Sequence, residues 1–137
     1  MAVHTRPFFV VSSGRSGTAM MERLFTAFPQ VEMHHEYMRS HVQPAAVKYH
    51  MGLIGLGEAT HALRATHQAA VHYSQSPHWG DSSSNLSWLI PVLDRMFPDA
   101  RFIHLTRDGR KVASSYLHKF GHECYEDQAT AAMQRFY

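Results

Sequence analysis

The stretch FFVVSSGRSGTAMMERLF (Phe8–Phe25) carries the strongest structural signal in this chain of 137 residues. It opens with four apolar residues that favour β-structure, which is typical of a buried parallel strand. The small and polar residues of Ser12–Gly17 then predict a tight turn. From Thr18 onward apolar residues recur at helical spacing, until Pro29 ends the pattern. The stretch therefore predicts a strand, a tight loop and a helix, in that order.

A loop that leads from a strand into a helix in this way can bind an anion. The first N–H groups of the helix have no partner within it, and the helix dipole adds positive potential there. Gly14 and Gly17 permit a close approach of the backbone. Arg15 adds a permanent positive charge, and hydroxyl donors are available from Ser16 and Thr18. The segment GRSGT therefore predicts an anion site.

The same segment differs from the Walker pattern of nucleotide-binding proteins, which places four residues between its first glycine and GK[ST]. Here only Arg15 and Ser16 separate the two glycines, and Thr18 follows Gly17 directly. The Walker lysine and the hydroxyl that holds magnesium are out of register. An ATP-dependent phosphotransferase therefore remains only as an alternative.

A second segment, FPDARFIHLTRDGRKVASSY (Phe97–Tyr116), repeats the arrangement of strand, polar turn and helix. Its strand is predicted at Arg101–Thr106, and its helix begins at Asp108 or Gly109. Because parallel strands end at one edge of a sheet, we expect Arg107 to face the same crevice as the first loop. Two anion sites at one edge would suit a ligand with two separated phosphates.

The rest of the chain predicts alternating elements. A short strand is expected at Val31–His34, and the final helical pattern lies near Ala129–Phe136. Helices are expected within Val42–Leu56 and Glu58–Tyr73, followed by a loop at Ser74–Asn85. This alternation predicts an α/β fold of three layers, with a mostly parallel central sheet and helices on both faces.

Composition limits the classes of function. Charged residues make up 18% and the formal net charge is +2, so no broad contact with nucleic acid or membrane is indicated. No stretch is long and apolar enough to predict a membrane span. The one cysteine, Cys124, cannot form an internal disulfide, and we expect a cytoplasmic protein. The 12 histidines are scattered at spacings that rarely suit a metal, so we expect them to be structural or exposed.

Together the two segments resemble the sulfotransferases that use 3′-phosphoadenosine 5′-phosphosulfate (PAPS), especially the bacterial and Golgi-type members. SSGRSGT is similar to their 5′-phosphosulfate loop, in which a basic residue precedes Ser-Gly-Thr. The second segment is similar to their 3′-phosphate segment, where an arginine and a serine eight residues later hold that phosphate. Arg107 and Ser115 have this spacing. The resemblance covers residues 7–36 and 81–137 and implies a P-loop NTPase-like sulfotransferase fold.

The resemblance also implies an activity and a cofactor site. The enzyme would transfer a sulfuryl group from PAPS to a hydroxyl or amine acceptor by in-line displacement, releasing 3′-phosphoadenosine 5′-phosphate (PAP) without a required metal. The acceptor would be a small molecule, a carbohydrate or a lipid. Arg15 would stabilise charge on the bridging oxygen and the transferring group. The 5′-phosphate would be cradled by Ser16, Gly17, Thr18 and Ala19, where family members often carry a second threonine at the last position.

The acceptor hydroxyl also needs a general base, which related enzymes place shortly after the first helix. VEMHHEY offers Glu36 first and His35 second, whereas His34 lies on the alternate face and is expected to be structural. In GDSSS, many relatives carry a lysine or arginine. Ser82, Ser83 or Ser84 could bind substrate or phosphosulfate, but we expect these serines to form a loop and a helix cap. Trp79 and Trp88 could stack on adenine or line the acceptor pocket, but Trp88 lies on a helical face and is expected in the core.

We expect one sulfotransferase domain over residues 1–137, as the N-terminal portion of a longer enzyme, because family members usually continue further. Residues 38–80 would form a helical region on the acceptor side, whose histidines and aromatic residues shape the acceptor pocket. Two alternatives stay open: a P-loop-type nucleotide phosphotransferase and a non-catalytic nucleotide-binding domain. The acceptor and the oligomeric state are not predicted.

Overall fold

The computed structural model describes residues 4–120. Residues up to Leu105 belong to one compact unit, and residues from Thr106 onward belong to a second. Each unit is described by itself. The helix expected near Ala129–Phe136 lies outside the described residues.

The first unit is built on a sheet of four parallel strands in the order β2-β3-β1-β4. The strands are β1 (Arg6–Val11), β2 (Val31–His35), β3 (His78–Ser82) and β4 (Arg101–His104). Three of these strands were predicted within a few residues. The α/β fold class with a parallel sheet flanked by helices is therefore confirmed.

The described residues contain six α-helices, five in the first unit and one in the second. The helical region between β2 and β3 contains three of them, broadly where the sequence pattern predicts helices. They are α1 (Thr18–Thr26), α2 (Arg39–His50), α3 (Leu56–Leu63), α4 (Ala69–Tyr73), α5 (Ile90–Met96) and α6 (Gly109–Phe120). A π-helical segment, Arg64–Gln68, joins α3 to α4, and a 3₁₀ turn, Asn85–Leu89, precedes α5.

Strand β3 corrects the sequence prediction, which assigned Ser74–Asn85 to a loop. Its sequence, HWGDS, holds few β-forming residues, but β1 and β2 pair with it on both sides. A central position of this kind overrides intrinsic β-propensity. Gly80 has a packing reason, because a Cβ there would overlap the side chains of Phe8 and Met33.

The two faces of the sheet have different cover. On one face Phe8 packs against Phe25 of α1, with ring centroids 5.0 Å apart. On the other face Phe9 and Trp79 are fully buried in the main apolar core. The helices contribute Leu63, Leu86, Leu89, Val92 and Leu93 to this core. Each such buried side chain contributes roughly 1.5–3 kcal/mol, so this core holds the sheet in register and fixes where its strands end.

Candidate functional site

Loop 12–17 (Ser12–Gly17) connects the carboxyl end of β1 to the start of α1. Three of its residues have positive φ: Gly14 at 93°, Arg15 at 49° and Gly17 at 102°. The Ser12 hydroxyl oxygen accepts a hydrogen bond from the Gly14 N–H (3.2 Å), and the Ser16 hydroxyl donates to the Gly14 carbonyl (3.0 Å). These bonds fold the loop tightly, and they engage the single hydroxyl hydrogen of Ser16 within the loop.

The start of α1 has the features of an anion-binding helix end. The first helical hydrogen bond runs from the Met21 N–H to the Gly17 carbonyl (3.1 Å). The amides of the preceding first turn therefore have no acceptor within the helix. No acidic residue lies in that first turn, and no side chain caps it. A negatively charged ligand would meet favourable potential here.

Two serines fasten loop 12–17 to neighbouring elements. The Ser87 hydroxyl donates to the Ser12 carbonyl (2.7 Å) and accepts from the Ser12 N–H (3.0 Å). The Ser82 hydroxyl, at the end of β3, donates to the Thr18 carbonyl (2.8 Å). These anchors were not predictable from local sequence patterns, because Ser87 lies 75 residues from Ser12. They hold both ends of the loop.

Turn 35–38 (His35–Met38) leaves the carboxyl end of β2 and leads into α2. Glu36 and Met38 have left-handed backbone, with φ of 51° and 50°. This region costs energy for residues other than glycine and persists when surrounding contacts determine it. The end of β3 supplies such contacts, because the Ser82 carbonyl accepts hydrogen bonds from the Glu36 N–H (3.1 Å) and from the His35 ring (2.9 Å).

These hydrogen bonds define the state of the two candidate bases. A carbonyl oxygen only accepts, so His35 donates to Ser82 through Nδ1–H, and in the neutral ring Nε2 then carries the lone pair. The Glu36 carboxylate accepts from the Arg39 guanidinium (3.0 Å), and its side chain is 26% exposed. The predicted bases are therefore adjacent, and each has a defined partner.

A buried polar network contacts this turn at the Tyr37 N–H, and it was not predicted from the sequence. Asp81 of β3 and His67 of the π-helical segment are joined by a 2.7 Å contact between Oδ2 and Nε2, with side-chain exposures of 1% and 0%. The other Asp81 oxygen accepts a hydrogen bond from the Tyr37 N–H (3.1 Å). The expectation that the histidines of residues 38–80 shape the acceptor pocket is wrong for His67, which is fully buried.

The remaining sequence predictions for this part of the chain concern Trp79, Trp88 and His34. Trp79 is fully buried and cannot stack on adenine or line a pocket, whereas Trp88, expected in the core, is 42% exposed and stacks on His50. His34 is structural as expected, since it pairs with Glu32 (3.0 Å). Burial alone would raise the pKa of Glu32, but hydrogen bonds from Ser74 and His34 outweigh it and lower that pKa.

The second unit contains the segment around Arg107. Its helix α6 begins at Gly109, as predicted, and Asp108 caps it by accepting from the Arg110 N–H (2.8 Å). The Arg110 guanidinium also binds this carboxylate and holds the pKa of Asp108 below its usual range. Ser115 lies within α6 and is half-buried. Whether Arg107 and Ser115 bind a phosphate stays a prediction.

Within residues 4–120, no group of three or more His, Cys, Asp or Glu side chains is arranged to hold a metal ion. Within the same residues, none of the helices combines the length and apolar character needed to cross a bilayer.

The fold and the site together define an α/β protein with a parallel sheet, in which a loop with two positive-φ glycines and an uncapped helix start follows the first strand's carboxyl end. A sequence profile described as "Sulfotransferase family" matches residues 7–137. The chain therefore belongs to the sulfotransferase family. No curated protein matches the chain.

Proposed function

We propose that this protein transfers a sulfuryl group from PAPS to a hydroxyl or amine acceptor, in the cytoplasm, and releases PAP. Family membership supports transfer of a sulfuryl group. The observation that carries the assignment of the donor is loop 12–17, which joins two left-handed glycines, an arginine and an uncapped helix start free of acidic residues. A phosphosulfate is an anion that such a loop suits.

Residues at the start of α1 would bind the 5′ end of the donor. The N–H groups of Gly17, Thr18 and Ala19 suit the 5′-phosphate, because these amides precede or begin the first helical turn. Ser16 would act chiefly through its N–H, since its hydroxyl hydrogen bonds to Gly14. Arg15 would stabilise the negative charge that develops between phosphate and sulfuryl group. A sulfuryl group carries less charge than a γ-phosphoryl group, which favours a reaction without a required metal.

The general base would be one of the two residues on turn 35–38. The Nδ1–H bond of His35 fixes the tautomer in which Nε2 can accept a proton. The Arg39 guanidinium competes for the Glu36 oxygen that would accept the same proton. These contacts favour His35, with Glu36 as the second candidate or as a binding group for the acceptor.

The donor's 3′-phosphate would bind Arg107 and Ser115 of the second unit. This part rests on the spacing of the two residues and on the family to which the chain belongs. A guanidinium forms paired hydrogen bonds with phosphate oxygens, and a serine hydroxyl adds a further donor.

Calorimetry with PAP on the full-length protein tests this proposal. Wild type should bind PAP without magnesium. Arg107→Ala should weaken binding by about 10- to 100-fold, as expected for a lost charge-assisted contact. Arg110→Ala is the matched control, because Arg110 pairs with Asp108, and it should change the Kd by less than about twofold. Absence of PAP binding by wild type would overturn the proposal, and magnesium-dependent ATP turnover would favour a phosphotransferase.

A further inference from the structure

The buried pair of Asp81 and His67 is a polar feature of the first unit that the proposed reaction does not use. Both side chains are almost completely excluded from solvent. Burying such groups is costly unless each finds a partner. The pair lies in the core beside Trp79, whose ring is 5.6 Å from that of His67. Here each group has the other as its partner, and Asp81 also contacts the neighbouring backbone, so the pair can hold that backbone in one geometry.

The geometry in question is that of turn 35–38. Asp81 Oδ1 accepts from the Tyr37 N–H, while the next residue of the strand, Ser82, accepts from the Glu36 N–H and the His35 ring. Two consecutive residues of β3 therefore bind three consecutive residues of the turn. The Tyr37 ring adds edge contacts with His67 at 5.5 Å and with Trp79 at 5.2 Å.

The turn needs this support because it is strained. Glu36 and Met38 flank Tyr37 and both have left-handed backbone without being glycine. A turn of this kind relaxes toward ordinary backbone when a contact that determines it is removed. Relaxation would move His35 and Glu36, which are the two candidate bases.

We propose that Asp81 is a positioning residue for sulfuryl transfer. Its hydrogen bond to the Tyr37 N–H holds turn 35–38 in the geometry that presents the general base, and His67 keeps the Asp81 carboxylate in place. This inference rests on the proposed function, but the hold on the turn itself can be measured without any reaction.

The test uses a double variant, Asp81→Val with His67→Leu, in the full-length protein. Replacing both members of a buried pair with apolar residues avoids leaving one charge unpaired. The variant removes the acceptor for the Tyr37 N–H. With PAPS and the hydroxyl acceptor that gives wild type its highest rate, we expect kcat to fall by about 100-fold, a loss typical of a displaced catalytic group. The Kd for PAP should stay within about twofold, and amide exchange at Tyr37 should accelerate by at least about tenfold.

Two single variants serve as controls. Asp81→Asn keeps an oxygen that can accept a hydrogen bond from the Tyr37 N–H. Its kcat should therefore stay within about fivefold of the wild-type value. Ser74→Ala removes a part-buried hydrogen bond to Glu32, near the opposite end of β2. It should reduce stability and leave kcat and Tyr37 exchange as in wild type. If the double variant does not fold, Asp81→Ser replaces it, because that hydroxyl is too short to reach Tyr37.

Three results would overturn the inference: wild-type kcat in the double variant, an equal loss of kcat and PAP affinity, or unchanged exchange at Tyr37. Failure of the proposed function looks different. In that case wild type neither binds PAP nor transfers sulfuryl groups, while the exchange rate of the Tyr37 amide still decides whether Asp81 holds the turn.

Discussion

Loop 12–17 and turn 35–38 both contain residues with left-handed backbone, but the two segments stabilise this backbone in different ways. Each leaves a parallel strand and uses left-handed residues to turn the chain. In the loop, glycines occupy two of the three left-handed positions, whereas in the turn both positions hold larger residues, Glu36 and Met38. The loop thus owes its backbone conformation mainly to its glycines, with Ser82 and Ser87 anchoring its ends, whereas the turn's conformation depends on hydrogen bonds that it donates to β3. Because of this difference, replacing a glycine of the loop should destabilise the protein, whereas introducing a glycine at a left-handed position of the turn should stabilise it.

The largest expected effect concerns the two candidate bases on turn 35–38. His35→Gln should reduce kcat by about 100- to 10,000-fold, the range typical of a lost general base. Glu36→Gln should reduce kcat much less and chiefly raise the KM for the acceptor. Steady-state kinetics with PAPS and one acceptor measures both variants. The reverse order of effects would make Glu36 the base and would assign the His35 ring to fixing the turn.

A smaller effect is expected at Gly17 in the loop. Gly17→Val places a β-branched side chain at a φ of 102°, which should cost about 1–3 kcal/mol of stability. Displaced helix amides should also raise the Kd for PAP by about tenfold or more. Denaturant unfolding and calorimetry measure the two effects.

Gly57→Ala is the matched control for this change. Gly57 lies in α3 with open space around its Cα and no positive φ, so alanine should raise stability by about 0.4–1 kcal/mol. Equal destabilisation by both substitutions would refute the claim that Gly17 is needed for its backbone conformation.

The smallest expected effect is a gain of stability, in contrast to the loss expected for Gly17→Val, and it concerns a residue of the turn. Met38→Gly relieves a left-handed residue whose side chain is 40% exposed, and it should stabilise the protein by about 0.5–1 kcal/mol once the entropy of glycine is subtracted. Met51, at the other end of α2, has a φ of −78° and is 65% exposed. Met51→Gly should therefore destabilise by about 0.5–1 kcal/mol. If thermal unfolding shows that both substitutions change stability in the same direction, the account of strain in the turn is contradicted.

The same difference explains how far the sequence could predict the site. The loop was predictable because its determinants, an apolar run, two glycines and a helical pattern, lie within Phe8–Phe25. The presence of His35 and Glu36 at a strand end was predictable for the same reason. Their hydrogen-bond partners were not, because Ser82 and Asp81 lie more than 40 residues away.

Strand β3 marks the point where sequence reasoning failed in the fold. HWGDS holds glycine, aspartate and serine, all typical of loops, and only the pairing of β1 and β2 on either side makes it a strand. With β3 assigned to a loop, Trp79 was a candidate to stack on adenine or line the acceptor pocket, and Asp81 fell within the predicted loop. Both are buried in the core.

Amide hydrogen exchange of the full-length protein, with and without PAP, tests the central claim most directly, because it reports which backbone groups the ligand covers. The account predicts that PAP slows exchange most at residues 14–19, where loop 12–17 meets the start of α1. Binding of PAP with unchanged exchange at these residues would contradict the account.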